Sequence, residues 1–228
     1  MTSLIARPVV DVSRWQPPGR MDWTKAKTAG IVGLIAKAGQ GARERDPAFR
    51  DHLRNAAGAE IPLLGAYLFL NASDPAAQAD HLLDIVDDAF AGNLAGRLLA
   101  LDLEANPMGA SATVAAAAEV AAAICRRLGR WPVLYMGAYG PDGSGTGLPN
   151  PVLDRCDLWL PAYGRVPRLP RGFAAPGTTP PAHGGVLRLW QDTDGTANRG
   201  DPVAGLGRVD QSRASFASLE ALAAWWGR

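Results

Sequence analysis

Short, nearly unbroken apolar runs recur along the chain, separated in its first half by segments of helical period. The runs are Arg7–Val12, Ile31–Ala38, Pro62–Leu70, Arg97–Leu103, Pro132–Met136, Asp157–Leu160 and Gly185–Trp190. Their lack of clean alternation predicts strands buried on both faces, as in a parallel sheet covered by helices. Between them, Asp22 caps a helix over 23–29 that stops at Gly30, and Asp46-Pro47 opens one that reaches Ala57 before Gly58. Ser73-Asp74-Pro75 starts a third helix, in which Ala79, Leu82, Leu83, Val86 and Phe90 share one face. Ser111 precedes a fourth, alanine-rich helix with a stripe of Val114, Ala118, Ala121, Cys125 and Leu128 that ends at Gly129. The stripe marks a packed helix rather than a low-complexity tail.

The second half changes character. Residues 164–184 hold five prolines (167, 170, 176, 180 and 181) and no helical period, and Asp192 to Gly207 reads as loop. Arg208-Val209-Asp210 then suggests a last strand, ahead of a final helix over about 215–226. Four to five β-then-α units followed by strands joined without helices predict an α/β fold, an irregular TIM-like barrel with its last helices missing. The competing open doubly wound sheet would carry a glycine-rich phosphate loop after the first strand, and none is present. One domain over 1–228 accommodates all of these elements.

Composition narrows the function classes. Lys plus Arg number 23 against 22 Asp plus Glu, a formal net charge of +1, which argues against a nucleic-acid binder or a polybasic membrane-surface protein. No apolar run reaches the roughly 18–20 residues of a membrane span, and the N-terminal residues lack the pattern of a secretory signal. Two cysteines, Cys125 and Cys156, without a C-x-x-C partner argue against a disulfide scaffold or a cysteine zinc site.

The candidate chemistry lies where strands end. Asp11 ends the first strand, Asp102 and Glu104 the fourth, and Asp210 the last. First and last strands of a barrel are neighbours, which brings Asp11 beside Asp210. Residues two apart on a strand share a face, which sends Asp102 and Glu104 together into the barrel mouth, where barrel enzymes place their chemistry. One such acid alone is more often a helix cap or turn residue; four on one rim form a site. Crowded carboxylates cannot all ionise freely, so at least one is expected to keep its proton near neutrality, as glycoside hydrolysis requires. A carboxylate cluster also suits Mg²⁺ or Ca²⁺. Tyr67, Tyr135, Trp159, Tyr163 and Trp190 fall on or just after strands towards the same rim, and together with the acids suit a sugar, whose faces stack on rings. Lys37, the one cation in an apolar strand, is expected to pair with the rim carboxylates. Trp23, Trp225 and Trp226 read as packing residues, His52 and His81 as ordinary helical histidines, and His183 receives no role.

The ordered set of motifs resembles the family 25 glycoside hydrolases, the N-acetylmuramidase lysozymes. It runs through Asp11-Val12-Ser13-Arg14-Trp15-Gln16, Asp22-Trp23, Ala36-Lys37-Ala38-Gly39-Gln40-Gly41, Gly65-Ala66-Tyr67-Leu68-Phe69, Asp102-Leu103-Glu104, Pro132-Val133-Leu134-Tyr135, Leu158-Trp159, Trp190-Gln191 and Val209-Asp210. The resemblance implies a (β/α)5β3 barrel that cleaves the β-1,4 bond between N-acetylmuramic acid and N-acetylglucosamine in peptidoglycan. By similarity Glu104 is the general acid/base, and Asp102 steers the substrate's own 2-acetamido group onto the anomeric carbon, with retention. Asp11 and Asp210 match the family's other rim acids, and no metal or organic cofactor is expected. Two departures stand out. Leu68 occupies a position where many relatives have histidine, and the 192–207 connection is long.

Two rivals remain open at the level of sequence: a wall-binding module without turnover, and a metal-dependent hydrolase built on the acid cluster. The partner implied is the glycan strand of bacterial peptidoglycan, with no nucleic acid and no membrane insertion, and the chain is expected to be monomeric. It would be made in the cytoplasm and released onto the wall as a phage lysin is, or be an exported protein trimmed of its signal.

Overall fold

The computed structural model describes residues 4–179, 184–196 and 200–228. Its elements run β1 (Leu4–Val12), α1 (Trp23–Thr28), β2 (Gly33–Gln40), the two-residue β3 (Glu44–Arg45), α2 (Phe49–Gly58), β4 (Leu63–Phe69), α3 (Pro75–Phe90), β5 (Leu98–Leu103), α4 (Val114–Leu128), β6 (Val133–Met136), β7 (Leu158–Pro161), β8 (Leu187–Asp194), β9 (Asp210–Ser215) and α5 (Leu219–Trp225). The strand order β1-β9-β8-β7-β6-β5-β4-β2 closes on itself through β1–β2 pairing, giving an eight-strand barrel with β3 as a small spur on β2. The expected irregular barrel is therefore the fold. Between β6 and β7 the crossover holds only a 3₁₀ turn, Leu153–Arg155.

Two helix signals read from the sequence, Asp22 and Asp74, act as physical caps. The side chain of Asp22 accepts from Lys25 N, that of Asp74 from Ala77 N and that of Thr113 from Ala116 N. Each satisfies one of the amides that a helix start leaves without a partner. The start of α4 thus falls on Thr113 rather than Ser111, whose hydroxyl accepts from Asn106 N. The final helix begins at Leu219, because 210–215 is needed for β9.

Two apolar layers hold the barrel. One lies between strands and helices, with Leu34, Leu68, Leu82, Leu101, Val120 and Leu134 at its centre. The other fills the barrel itself with Val9, Ile35, Leu98, Ala100, Val133, Trp159, Leu189 and Ala214. Trp226 closes its base: it is fully buried, donates through Nε1 to Leu64 O at 2.9 Å, and packs over Gly33, where an added Cβ would lie 3.1 Å from the indole. Trp23 and Trp225 are also buried, as expected of packing residues.

Strand alternation then dictates what stands above this plug. Two residues further along β1, β2, β5 and β8 from Val9, Ile35, Ala100 and Leu189 come Asp11, Lys37, Asp102 and Gln191. With a side-chain period of two, an apolar layer is succeeded by a polar one at the barrel mouth.

One expectation about the last strand is corrected. Asp210 does not end it but begins β9, which runs antiparallel to both β8 and β1. Asp210 still reaches the same rim, because a reversed strand starts where the parallel ones finish. β8 also continues through Asp194, so 192–194 is strand rather than loop. Beyond it, Val203 and Leu206 are buried, and Gly205 O accepts from Asp22 N at 2.8 Å, fastening the long connection to the start of α1.

Because Trp226 fills the base completely, Trp226→Ala should cost about 3–5 kcal/mol of unfolding free energy. Urea denaturation at neutral pH would measure it, and a loss below about 1 kcal/mol would show that the plug is dispensable.

Candidate active site

The polar layer lines an open groove of about 380 Å³ at the C-terminal ends of the parallel strands. All four acids singled out in the sequence border it, with Lys37 and Tyr67. Register places Asp11 opposite Asp210 across the β1–β9 pair, and Asp102 opposite Tyr135 across β5–β6.

The four carboxyls occupy different environments. Asp102 is buried, and its Oδ1 has no hydrogen-bond partner. Burial, then the charge of Glu104, push its pKa well above the usual carboxylate value, against the pull of Lys37. Glu104, just past the end of β5, is exposed at the mouth, yet the surrounding walls desolvate it enough to raise its pKa, again opposed by Lys37. Asp11 is raised by burial and by Asp210, with Gln191 acting in the other direction. Asp210 is raised to about 6 by burial and by Asp194, and a hydrogen bond from Asp11 lowers it. The two carboxyls of this second pair titrate together.

Gln191 organises the cluster. Its Nε2 donates to Asp11 Oδ1 and Oδ2 at 3.0 and 2.9 Å, and to Asp210 Oδ2 at 3.5 Å. Its Oε1 accepts from the hydroxyls of Tyr135 and Tyr163, each at 2.8 Å. The residue appears in the sequence only as the neighbour of Trp190, which drew attention for its ring. Alternation allows just one of the two to face the barrel interior, and the signal that finds it is Leu189, the apolar inward residue two positions earlier.

The aromatic set divides accordingly. Tyr67 is half-buried at the groove, and Tyr135 and Tyr163 supply hydroxyls to Gln191. Trp159 is expected among the ligand platforms, but it lies within the barrel core, edge-on to Tyr135 at 4.8 Å and bonded through Nε1 to Ser212 Oγ at 3.0 Å. A fully buried ring cannot stack on a ligand. Trp190 takes the opposite face of β8 from Gln191, where Nε1 donates to Ala162 O and the Arg213 guanidinium lies 5.6 Å above the ring. There Arg213 and Arg7 both bind the buried Asp192 on a wall that no helix covers.

Lys37 does not form the expected direct ion pair. Its Nζ donates to Gln40 Oε1 at 3.1 Å and sits 4.7 Å above the Phe69 ring, so it acts on Asp102 and Glu104 through space. Burial lowers its own pKa. Leu68 is fully buried in the layer facing the helices, so a side chain at this position points away from the groove.

The loop after β1 adds residues that the sequence did not single out for a role. His52, buried in α2, has Nε2 3.1 Å from Ser13 O, and Asp46 accepts from Arg14 N at 3.0 Å. These contacts hold Arg14 and the exposed Trp15 at the groove, with the exposed Met108 also on its lining. His81, on α3, contacts Glu44 O, and His183 lies outside the described residues. Among the described residues no group of three or more His, Cys, Asp and Glu side chains is placed to hold a metal ion.

Comparison with known proteins finds a match to the glycosyl hydrolases family 25 over residues 10–174. Lysozyme M1 of Streptomyces globisporus is 39% identical over 110 residues, which are 44% of this chain and 34% of that protein. The match thus spans about a third of that relative's length. Among solved structures, a bacterial lysozyme from Streptomyces coelicolor is 26% identical with a TM-score of 0.73, covering 98% of this chain and 97% of its own. A muramidase from Acremonium alcalophilum is 26% identical with a TM-score of 0.68, at coverages of 96% and 98%.

The raised carboxyls carry a linkage consequence. An acid whose folded pKa exceeds its unfolded value stabilises the fold below the unfolded pKa and loses that contribution as pH rises through the folded one. For Asp210 the window runs from about 4 to about 6. Asp210→Asn should therefore raise the melting temperature relative to wild type more at pH 7 than at pH 4, by on the order of 2–4 °C. Calorimetry at both pH values tests this, and an equal difference at the two would show that the carboxyl is not desolvated.

Proposed function

The chain belongs to family 25 of the glycosyl hydrolases, and from that premise we propose that it is a muramidase. Its reaction would be hydrolysis of the β-1,4 bond between N-acetylmuramic acid and N-acetylglucosamine in peptidoglycan, with retention at the anomeric carbon. The observation that carries this reading is the unequal pair at the end of β5: Asp102, buried with an unsatisfied oxygen, and Glu104, exposed at the groove two residues on.

The pair titrates as a unit. In the free groove, burial raises the proton affinity of both carboxyls, and the charge of Glu104 adds to the rise at Asp102. A 2-acetamido N–H of the substrate supplies the partner that Asp102 Oδ1 lacks and favours its charged form. The proton then belongs on Glu104, at the mouth, where the glycosidic oxygen lies. Glu104 protonates that oxygen as the bond to the anomeric carbon breaks, while the acetamido oxygen attacks the same carbon. Asp102 holds the acetamido nitrogen and stabilises the positive charge of the resulting ring. Water then opens it from the face that the leaving group vacated, giving its proton to Glu104, so the net change is addition of one water. Two displacements on one carbon return the original configuration. No enzyme carboxylate attacks the sugar, so the carboxylate-spacing rule of ordinary glycosidases does not apply.

Asp11, Asp210 and Gln191 form the opposite wall. Their network keeps a polar, partly protonated surface for sugar hydroxyls, and Tyr67 offers a ring face beside them. The negative charge of this wall also favours a cationic transition state over a neutral ground state, which is the condition for faster chemistry.

Glu104→Gln should lower release of reducing ends from purified peptidoglycan by roughly 10²–10⁴-fold, the range for loss of a general acid. Wild type that releases none from several wall types would sink the muramidase reading and favour a binding module, and loss of activity on EDTA treatment would point to a metal-dependent hydrolase. Lys37→Met tests the electrostatics separately. Lys37 holds the pKa values of both Asp102 and Glu104 down, so its removal should move the alkaline limb of the kcat/KM profile to higher pH. An unmoved or lowered limb would remove the pair from the rate-controlling ionisation.

A further inference from the structure

Three arginines after Tyr163 enter none of the chemistry above. They lie in Arg165-Val166-Pro167-Arg168-Leu169-Pro170-Arg171, where Arg recurs at every third position and Pro precedes the second and third. The stretch from 165 to 170 is neither helix nor strand. Over 165–170 a proline-rich segment of this period suits the polyproline II conformation, whose three residues per turn put every third side chain on one edge, about 9 Å apart, while Arg171 stands in the turn closed by Phe173 N donating to Pro170 O. All three arginines are exposed, the segment between Tyr163 and Gly172 contains no acid, and none of them is ion-paired among the described residues.

Arg168 and Arg171 form one side of a cleft of about 390 Å³, whose other lining residues include Tyr139, Ser144, Leu148 and Leu169. The Arg168 guanidinium lies 5.4 Å over the Tyr139 ring, which is itself 46% exposed. The cleft lies between the segment that leaves the C-terminal end of β6 and the one that follows β7; the latter runs down the barrel flank, since Gly172 packs against Asp154 just before β7 and Ala174 bridges Val186 just before β8. Tyr163, bonded to Gln191 at the groove, stands two residues before the first arginine.

An exposed cationic edge beside the side chains of Tyr139, Leu148 and Leu169 calls for a ligand that carries both carboxylates and small apolar groups. We propose that this cleft binds the acidic peptide attached to the muramic acid of the glycan, its carboxylates on Arg168 and Arg171 and its alanine methyls against Tyr139, Leu148 and Leu169. The inference rests on the muramidase reading and adds to it a second recognition element, for the peptide instead of the sugar. A phosphate-rich wall polymer would satisfy the arginines but leave Tyr139, Leu148 and Leu169 unmatched.

The test compares wild type with Arg168→Ala/Arg171→Ala on two substrates: intact peptidoglycan, and glycan strands freed of peptide by an amidase. The variant should lose about tenfold in kcat/KM on intact peptidoglycan, mainly through KM, and match wild type on peptide-free strands. Equal loss on both substrates, or loss on neither, overturns the proposal. So does a defect that disappears once phosphate polymers, but not peptides, are stripped from the wall. Binding of the free stem pentapeptide, followed by titration calorimetry at low and moderate salt, reads the site without turnover. Binding should weaken with salt and fall about tenfold in the variant; equal affinity for the two proteins also overturns the proposal. Absence of hydrolysis by wild type with intact peptide binding would sink the muramidase reading alone.

Discussion

The primary amide of Gln191 ties its own strand to four others at the barrel rim. From β8 it reaches β1 and β9 through Asp11 and Asp210, and β6 and the end of β7 through Tyr135 and Tyr163. Its two ends are not interchangeable here. The carbonyl receives two phenolic hydroxyls, and the amino group faces carboxylates; a reversed amide would set carbonyl oxygen against carboxylate oxygen. A glutamate at the position would add charge to a pair already raised by burial and by neighbouring acids. A leucine would leave two hydroxyls and a carboxyl without this partner, each a cost of about 1–3 kcal/mol where buried. The neutral side chain thus permits acids at this depth on the closing side of the barrel.

On the other side, Asp102 has no such host. Its unsatisfied Oδ1 is paid for by the packing below and around it, where Ala100, Ile35 and Trp159 fill the barrel. This division has a chemical meaning. A carboxyl whose hydrogen bonds are complete has little reason to respond to a ligand, whereas one left incomplete gains a partner on binding and shifts its proton affinity in consequence. The site combines a settled wall with a responsive one, and the stability lost at the responsive wall is the usual cost of function.

Much of this was legible from residue pattern. Buried strands read as apolar runs, the caps Asp22 and Asp74 read as Asp before helical periods, and acids after apolar strands read as rim residues. What failed did so for identifiable reasons. Asp210 was assigned to a strand end because the sequence contains no mark of strand direction; chain reversal before β9 is set by pairing, a long-range property. Trp190 drew the attention due to Gln191 because size is visible in sequence and side-chain parity is not, unless the inward register is fixed from a neighbour such as Leu189. Trp159 followed a similar error, since a large ring near a strand end fits a core as well as a platform. For Lys37, the proximity to the carboxylates was correct in kind, but Gln40 and the Phe69 ring captured its ammonium group.

The reversed last strand has a further effect on how the molecule can be handled. β1 starts, and β9 finishes, at the pole sealed by Trp226, with Leu4 opposite Ser215, and α5 remains there against Leu64 and Gly33. The groove occupies the other pole. A tether, reporter or solid support joined beyond Arg228 would therefore leave the molecule from its back, presenting the acid-lined face outward in a single orientation and free of the linker.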